Sequence, residues 1–294
     1  MRFPEWIRRS WGAEGEVAFT KELVEELGLR TVCQSARCPN IGECWRERTA
    51  TFMLLGHVCT RDCRFCSVGA GAPEVVQEDE PERVAEAVRR MTLRHVVVTS
   101  VTRDDLEDGG AGQFARTVAA IREASPDTSV ELLAPGFGGR EDAIDTVLAA
   151  RPDVFGHNIE TVRRLYGAVR DLRADYGRSL SVLRYVAESE PRPIVKSALM
   201  LGLGETQEEI EETLADLREA GCDAVSIGQY LRPTKRQVEV AEFVHPDTFA
   251  AYERLARDMG FGFVVAAPFV RSSYRSGEMM DVLGAEPAEA QAGS

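Results

Sequence analysis

The chain is expected to fold as an α/β protein, a partial (β/α)6 TIM-like barrel with an N-terminal and a C-terminal extension. Three observations predict it. From residue 51 onward, short β-rich runs alternate with helix-patterned segments. Six βα units in series imply parallel pairing with helices outside, and right-handed crossovers curl such a series toward a barrel. No G-x-G-x-x-G turn follows the first strand, which disfavours a flat doubly wound sheet. At 294 residues, 44% hydrophobic and 28% charged, the chain can bury one large core.

The expected strands run 51–56, 95–100, 129–134, 153–158, 194–201 and 224–230. Between them lie amphipathic stretches at 82–91, 112–124, 142–150 and 208–220, where apolar residues recur at three- and four-residue intervals. Pro81 marks the start of the first and Gly221 the stop of the last. In that last helix Ile210, Leu214 and Leu217 should point inward, leaving the acidic residues between Glu205 and Glu219 on a solvated face. The expected division is an N-terminal extension over 1–50, the barrel over 51–270 and a C-terminal segment over 271–294. The small, polar end of that segment, 285–294, reads as disordered.

A formal charge of −13 argues against a nucleic-acid partner, whose affinity rests on basic residues neutralising phosphates, although local basic pockets are compatible with it. No hydrophobic signal stretch opens the chain and no apolar run reaches membrane-spanning length, so the expected setting is cytoplasmic, without membrane contact. Stable disulfides are rare there.

Six of the seven cysteines fall in two runs of three: Cys33, Cys38 and Cys44 at C-x4-C-x5-C, then Cys59, Cys63 and Cys66 at C-x3-C-x2-C. Three soft ligands are one short of a closed zinc site, and neither run has paired C-x2-C knuckles or a downstream His pair. Disulfides and scattered core thiols are the other plain readings. Iron–sulfur clusters also take thiolates, and a cubane held by three of them keeps one iron free for an outside ligand. Cys222 stands alone before an apolar strand and reads as a core residue.

The loop after the first strand, G-H-V-C-T-R-D-C-R-F-C over 56–66, sits at the carboxyl end of that strand, where barrel enzymes collect their chemistry. C-x3-C-x-aromatic-C in this place resembles the signature of radical S-adenosylmethionine (SAM) enzymes. The resemblance implies that Cys59, Cys63 and Cys66 hold a [4Fe–4S] cluster whose fourth iron chelates the amino and carboxylate groups of S-adenosyl-L-methionine. It further implies reductive cleavage to a 5′-deoxyadenosyl radical, with Phe65 close to the adenine.

Other motifs narrow the resemblance. S-A-R-C-P-N-I-G-E-C-W runs over 35–45, T-S-V-T-R-D-D-L-E-D-G-G over 99–110 and G-H-N-I-E-T over 156–161. L-M-L-G-L-G-E-T follows from Leu199, I-G-Q-Y-L-R-P-T from Ile227 and R-S-S-Y from Arg271. In this order and spacing the chain resembles the lipoyl synthase family over roughly residues 20–280. That resemblance implies a sulfurtransferase that inserts two sulfur atoms at C6 and C8 of a protein-bound octanoyl-lysine. It implies a second, auxiliary [4Fe–4S] cluster on Cys33, Cys38 and Cys44, with Ser273 as fourth ligand, Ser272 as the alternative, and the cluster as sulfur donor. An oxygen ligand amid thiolates suits a cluster that must lose iron as it gives up sulfide. The implied partners are an octanoylated lipoyl carrier domain or glycine cleavage H-type protein, a ferredoxin or flavodoxin-type reductant, and an iron–sulfur carrier protein. Unactivated C–H bonds are beyond side-chain acids and bases, which explains the need for radical chemistry.

Several polar residues are candidates to grip S-adenosylmethionine. Asn158 and Glu160 end the fourth expected strand and can reach a ribose hydroxyl or the methionine moiety, or serve as a helix cap. Lys196, a cation on a strand that reads as buried, needs an anionic partner. The resemblance places Asp104 and Asp105, with Gly109 and Gly110, near the methionine amino group. Gly202 and Gly204 permit close backbone approach. His57, His95, His157 and His245 lack metal-ligand spacing and read as packing or capping residues. Arg232, Val238 and Ala267 depart from the family pattern, away from the cluster ligands. Competing readings are a radical enzyme whose second cluster only transfers electrons, a ferredoxin-like carrier and a zinc scaffold; the R-S-S-Y ending and the long barrel favour sulfur insertion.

Overall fold

The computed structural model describes residues 4–7, 15–36, 38–46 and 49–284. The expected disordered tail, 285–294, lies outside them. Three helices precede the sheet: α1 (Gly15–Glu26), α2 (Val32–Ser35) and α3 (Ile41–Arg46). β1 (Thr51–Leu54) leads into a loop braced by the two-residue strands β2 (Val58–Cys59) and β3 (Gly69–Ala70), which pair in parallel. Then come α4 (Glu80–Met91), β4 (His95–Ser100), α5 (Ala111–Ala124), β5 (Ser129–Leu133), α6 (Glu141–Ala149) and β6 (Val154–Gly156). The short α7 (Tyr166–Val169), α8 (Tyr176–Ala187), β7 (Ile194–Leu201), α9 (Gln207–Glu219) and β8 (Ala224–Gln229) follow, and α10 (Pro246–Asp258), β9 (Phe263–Ala267) and α11 (Ser276–Leu283) complete the order.

The main sheet runs β1-β4-β5-β6-β7-β8-β9, parallel throughout. No ladder joins β9 to β1 among the described residues, so the barrel is partial. It has seven strands where six were expected. The added strand, β9, is five apolar residues long, and so short a run carries no period by which to tell a strand from buried helix.

Local chemistry explains the helix starts. Thr206 and Glu209 form a reciprocal capping box on α9. Pro246 opens α10 while the His245 ring accepts the Asp247 N–H at 3.3 Å. Ile210, Leu214 and Leu217 turn into the core as their spacing requires, and Cys222 is fully buried there, its thiol pKa pushed up by burial.

The two ends of the barrel differ. Met279 of α11 packs on Val154, Ala224 and Phe263, the first residues of their strands, so α11 covers the amino-terminal end. Nearby, Lys196 Nζ lies 2.9 and 3.2 Å from the Glu131 carboxylate oxygens, both side chains almost fully buried. In this structure the buried cation thus has an anion within the protein. His95 Nε2 stands 3.4 Å from Glu131 as well. No described helix is long and apolar enough to cross a membrane.

Candidate active site at the strand carboxyl ends

The cysteine loop is held in shape by backbone donors aimed at sulfur. Arg61 N–H points at Cys59 Sγ, Val68 N–H at Cys66 Sγ and Asp171 N–H at Cys63 Sγ, each at 3.4 Å. From outside, Gln237 Nε2 donates to the Cys66 carbonyl at 2.8 Å and Val238 N–H to the Arg64 carbonyl at 2.9 Å. The segment carrying them follows the I-G-Q-Y-L-R-P-T motif, where the Gln229 amide donates to the Leu201, Tyr230 and Glu242 carbonyls. Gly202 has φ +96°, and a Cβ there would run into Gln229 Nε2 and the Glu242 carbonyl. Its close backbone approach is to that clamp.

Asp104 lies beside the loop, but both its carboxylate oxygens are taken by Arg61, at 2.9 and 2.7 Å, with Arg173 at 3.1 Å. These contacts, the Arg61 hydrogen bonds first, hold its carboxyl below the usual range. Asp105 is paired in the same bidentate manner with Arg103 at 2.9 and 2.8 Å. In this structure both carboxylates are engaged by arginines, Asp104 by Arg61 of the cysteine loop and Asp105 by its near neighbour Arg103. Asp171 also fastens it, accepting the Asp62 N–H at 2.9 Å, and its carboxyl is held far below normal chiefly by Arg173.

Asn158 and Glu160 do come to the site, although β6 already ends at Gly156. Asn158 Nδ2 donates to Glu160 Oε1 at 3.1 Å. Glu160 has φ +69°, a left-handed conformation held by hydrogen bonds to Ala198 and Met200 of β7, at 2.9 Å each. Burial raises its pKa against the pull of Arg170, 3.9 Å away. Arg170 was not singled out from sequence, yet it is the hub: its guanidinium lies 5.9 Å from the Phe65 ring centroid and 5.5 Å from that of Tyr166. Its Nε is buried with no hydrogen-bond partner. Behind it, Tyr166 OH meets Ser179 Oγ at 3.0 Å and His157 Nε2 lies 3.2 Å from the same oxygen. Burial lowers the His157 pKa to about 4, so this histidine packs as a neutral ring. A cleft of about 400 Å³, lined by Cys63, Arg64, Arg170, Asp171, Arg236 and Gln237 among others, opens beside the loop.

The N-terminal cysteines lie against the same barrel. Ser67 Oγ, one residue past Cys66, donates to the carbonyl of Ser35, at the end of the helix that carries Cys33. Asn40 Nδ2 donates to the Phe269 carbonyl at 2.7 Å, and Tyr274 OH to Glu43 Oε1 at 3.1 Å. These bonds stitch the loop between Cys38 and Cys44 to the segment bearing Ser272 and Ser273. Ser273 itself accepts Ser276 Oγ at its carbonyl, at 3.2 Å.

All seven thiols are free, so the disulfide reading fails. Among the described residues no three His, Cys, Asp or Glu side chains converge on one metal ion. A cubane does not require it, since each thiolate binds a different iron corner. The donor set fits such a group. Burial pushes the Cys33 pKa up to about 11 and that of Cys66 to about 12, and raises Cys63 too, so these thiols stay protonated until a metal displaces the proton. The buried Trp45 indole N–H has no hydrogen-bond partner, yet is near enough to favour the ionised Cys33.

A parallel partial barrel with this cysteine loop at its carboxyl end defines a radical SAM protein, and the chain belongs to that superfamily, whose family model matches residues 53–217. The solved structure of methylornithine synthase shares the fold, with a TM-score of 0.52 over 92% of this chain and 94% of that one at 11% identity. Sequence relatives are far nearer. The lipoyl synthase of Rubrobacter xylanophilus is 56% identical over 261 residues, 89% of this chain and 81% of that one. That of Caldanaerobacter subterraneus subsp. tengcongensis is 52% identical over 276 residues, 94% and 96% of the two chains. Within the superfamily, the chain belongs to the lipoyl synthase family.

Proposed function

We propose that this enzyme inserts two sulfur atoms, at C6 and C8, into an octanoyl chain carried on a lysine of a lipoyl carrier domain or glycine cleavage H-type protein. Beyond family membership, the observation that carries this reading is the stitching of two free-thiol sets and the Ser273 segment to one barrel, through Ser67–Ser35, Asn40–Phe269 and Tyr274–Glu43. Cys59, Cys63 and Cys66 hold the [4Fe–4S] cluster that binds S-adenosylmethionine, and Cys33, Cys38 and Cys44 with Ser273 hold the auxiliary one. Together these groups supply hydrogen-abstracting radical chemistry and sulfur.

The remaining work belongs to the chain. Backbone N–H groups of Arg61, Val68 and Asp171 stabilise charge on the three loop sulfurs. Arg170, with its buried, unpartnered Nε, is placed to hold the methionine carboxylate. Asn158 and Glu160, beside it, are placed for the ribose or the amino group, and Phe65 for the adenine. The described parts of the N-terminal extension and the C-terminal segment, joined by the Tyr274–Glu43 bond, together present the sulfur donor. A ferredoxin or flavodoxin-type protein supplies electrons and an iron–sulfur carrier restores the donor, in the cytoplasm.

The test is an anaerobic reaction of the reconstituted enzyme with an octanoylated carrier peptide, read by mass spectrometry. Gain of two sulfurs is expected, and a product without sulfur refutes the reading. Free octanoate should react far more slowly, because binding energy from the non-reacting carrier positions the acyl chain.

A further inference from the structure

Arg271 holds a positive charge that no carboxylate among the described residues meets. Its Nη1 donates to the Val270 carbonyl at 2.6 Å, and no ion pair joins it to an Asp or Glu among the described residues. Cys38 of the first cysteine run is near enough to act on its charge. The segment that carries it is bonded on both sides to the Cys38–Cys44 loop, by Phe269 to Asn40 and by Tyr274 to Glu43. Room for it is built into β8: a Cβ on Gly228 would strike the Val270 carbonyl and come within 3.3 Å of Arg271 Nη1. Any side chain at 228 would push the segment, and the guanidinium with it, out of place.

We propose that Arg271 is the counter-ion of the iron–sulfur cluster held by Cys33, Cys38 and Cys44. The inference rests on the reading of those cysteines and Ser273 as its ligands. Three thiolates and an alkoxide outweigh the positive charge of the iron–sulfide core, so the assembled group is an anion set among partly buried residues. A half-buried guanidinium and a cluster anion in the same partly buried setting complement one another. A purely structural Arg271 would spread its donors over further carbonyls or an acidic side chain, and among the described residues only the Val270 bond is formed. The cation also bears on electron affinity: reduction adds negative charge to the cluster, so a fixed positive charge beside it raises the reduction potential.

The experiment uses the full chain in a Cys63→Ala background, where only the N-terminal cluster loads, with Arg271→Gln and Arg271→Lys added. Each is reconstituted anaerobically, assayed for iron and acid-labile sulfide, and titrated for midpoint potential by absorbance and EPR. Arg271→Gln should lower the potential and release iron to a chelator several-fold faster, and Arg271→Lys should recover most of both. An unchanged potential in a fully loaded Arg271→Gln protein overturns the proposal. If Arg271→Gln fails to load, a Lys variant that loads supports the counter-ion role, and equal failure of both overturns it. Cys38→Ala, placed in the same background, must abolish loading. If it does not, the ligand reading itself is wrong and the counter-ion falls with it.

Discussion

Arg170 stands 3.9 Å from the Glu160 carboxylate, and the same guanidinium lies 5.9 Å from the Phe65 ring centroid. One cation thus faces a buried acid, the aromatic residue of the cysteine loop and, through its effect on Cys63, the loop sulfurs. Its Nε is buried without a partner, the condition of a donor kept for a ligand. Arg170→Met should weaken S-adenosylmethionine binding by about tenfold or more, the scale of one charge-assisted hydrogen bond. Equilibrium dialysis on protein of verified iron content measures it, and Arg170→Lys should recover part of the affinity. Wild-type affinity in the Met variant would remove Arg170 from the binding site.

The two thiol sets should separate functionally. Cys63→Ala should lose about half the iron and all 5′-deoxyadenosine formation. Cys38→Ala should also lose about half the iron, yet still cleave S-adenosylmethionine while inserting no sulfur. Iron analysis, chromatography of deoxyadenosine and product mass spectrometry read the three quantities. Equal loss of cleavage in both variants contradicts two clusters with distinct roles.

Lys196 and Glu131 supply a test of the barrel itself. Burial alone would raise the Glu131 pKa, but Lys196, and after it His95, outweigh burial and hold it below normal. A depressed carboxylate contributes stability that is present above its unfolded pKa, about 4.3, and is lost as pH falls through the folded value. Lys196→Met leaves that buried anion with only His95 beside it and should destabilise the fold by about 3–5 kcal/mol at neutral pH. Without the lysine, burial dominates and Glu131 becomes easier to protonate, so the loss should shrink as pH falls toward 5. Urea unfolding at pH 7.5 and pH 5 checks this, and a gap that does not narrow would show that Glu131 is not the group left stranded. Glu131→Leu in the same variant should restore part of the stability.

What the chain discloses before folding is what its chemistry stores locally. The cysteine spacings and the R-S-S-Y ending carry the proposed ligands because a cluster needs particular atoms, and α9 shows itself through Ile210, Leu214 and Leu217 because helical period is local. Asp104 and Asp105 are linked to a cofactor by the resemblance, and Lys196 by its need, as a charge on a strand that reads as buried, for a partner that the sequence does not name. Their partners are Arg61, Arg103 and Glu131, and two of these lie 43 and 65 residues away. Arg170 escaped notice for the same reason: it sits just past the short α7, and only the fold brings it to Glu160, Phe65 and Cys63. Conversely β9 was missed because five apolar residues carry no pattern of their own.

In the proposed function, Ser273 carries the step from a two-cluster radical enzyme to one that inserts sulfur. Its segment is fastened to the N-terminal cysteine loop by the Tyr274–Glu43 and Asn40–Phe269 bonds, so its backbone is already held near that thiol set before any cluster assembles. An oxygen ligand on iron is harder and more easily displaced than a thiolate, as suits an iron that must leave when sulfide is given up. Ser273→Cys should therefore keep full iron content and 5′-deoxyadenosine formation while yielding little lipoyl product, because a softer, tighter ligand retains the departing iron. Ser273→Ala should instead give a labile cluster that loses iron on gel filtration, and the same changes at Ser272 should be milder. Iron analysis, deoxyadenosine release and product mass spectrometry on the four variants separate these outcomes. Wild-type sulfur insertion by Ser273→Cys would show that departure of an oxygen ligand is no part of the chemistry, and would leave the family assignment standing without this account of how sulfur is released.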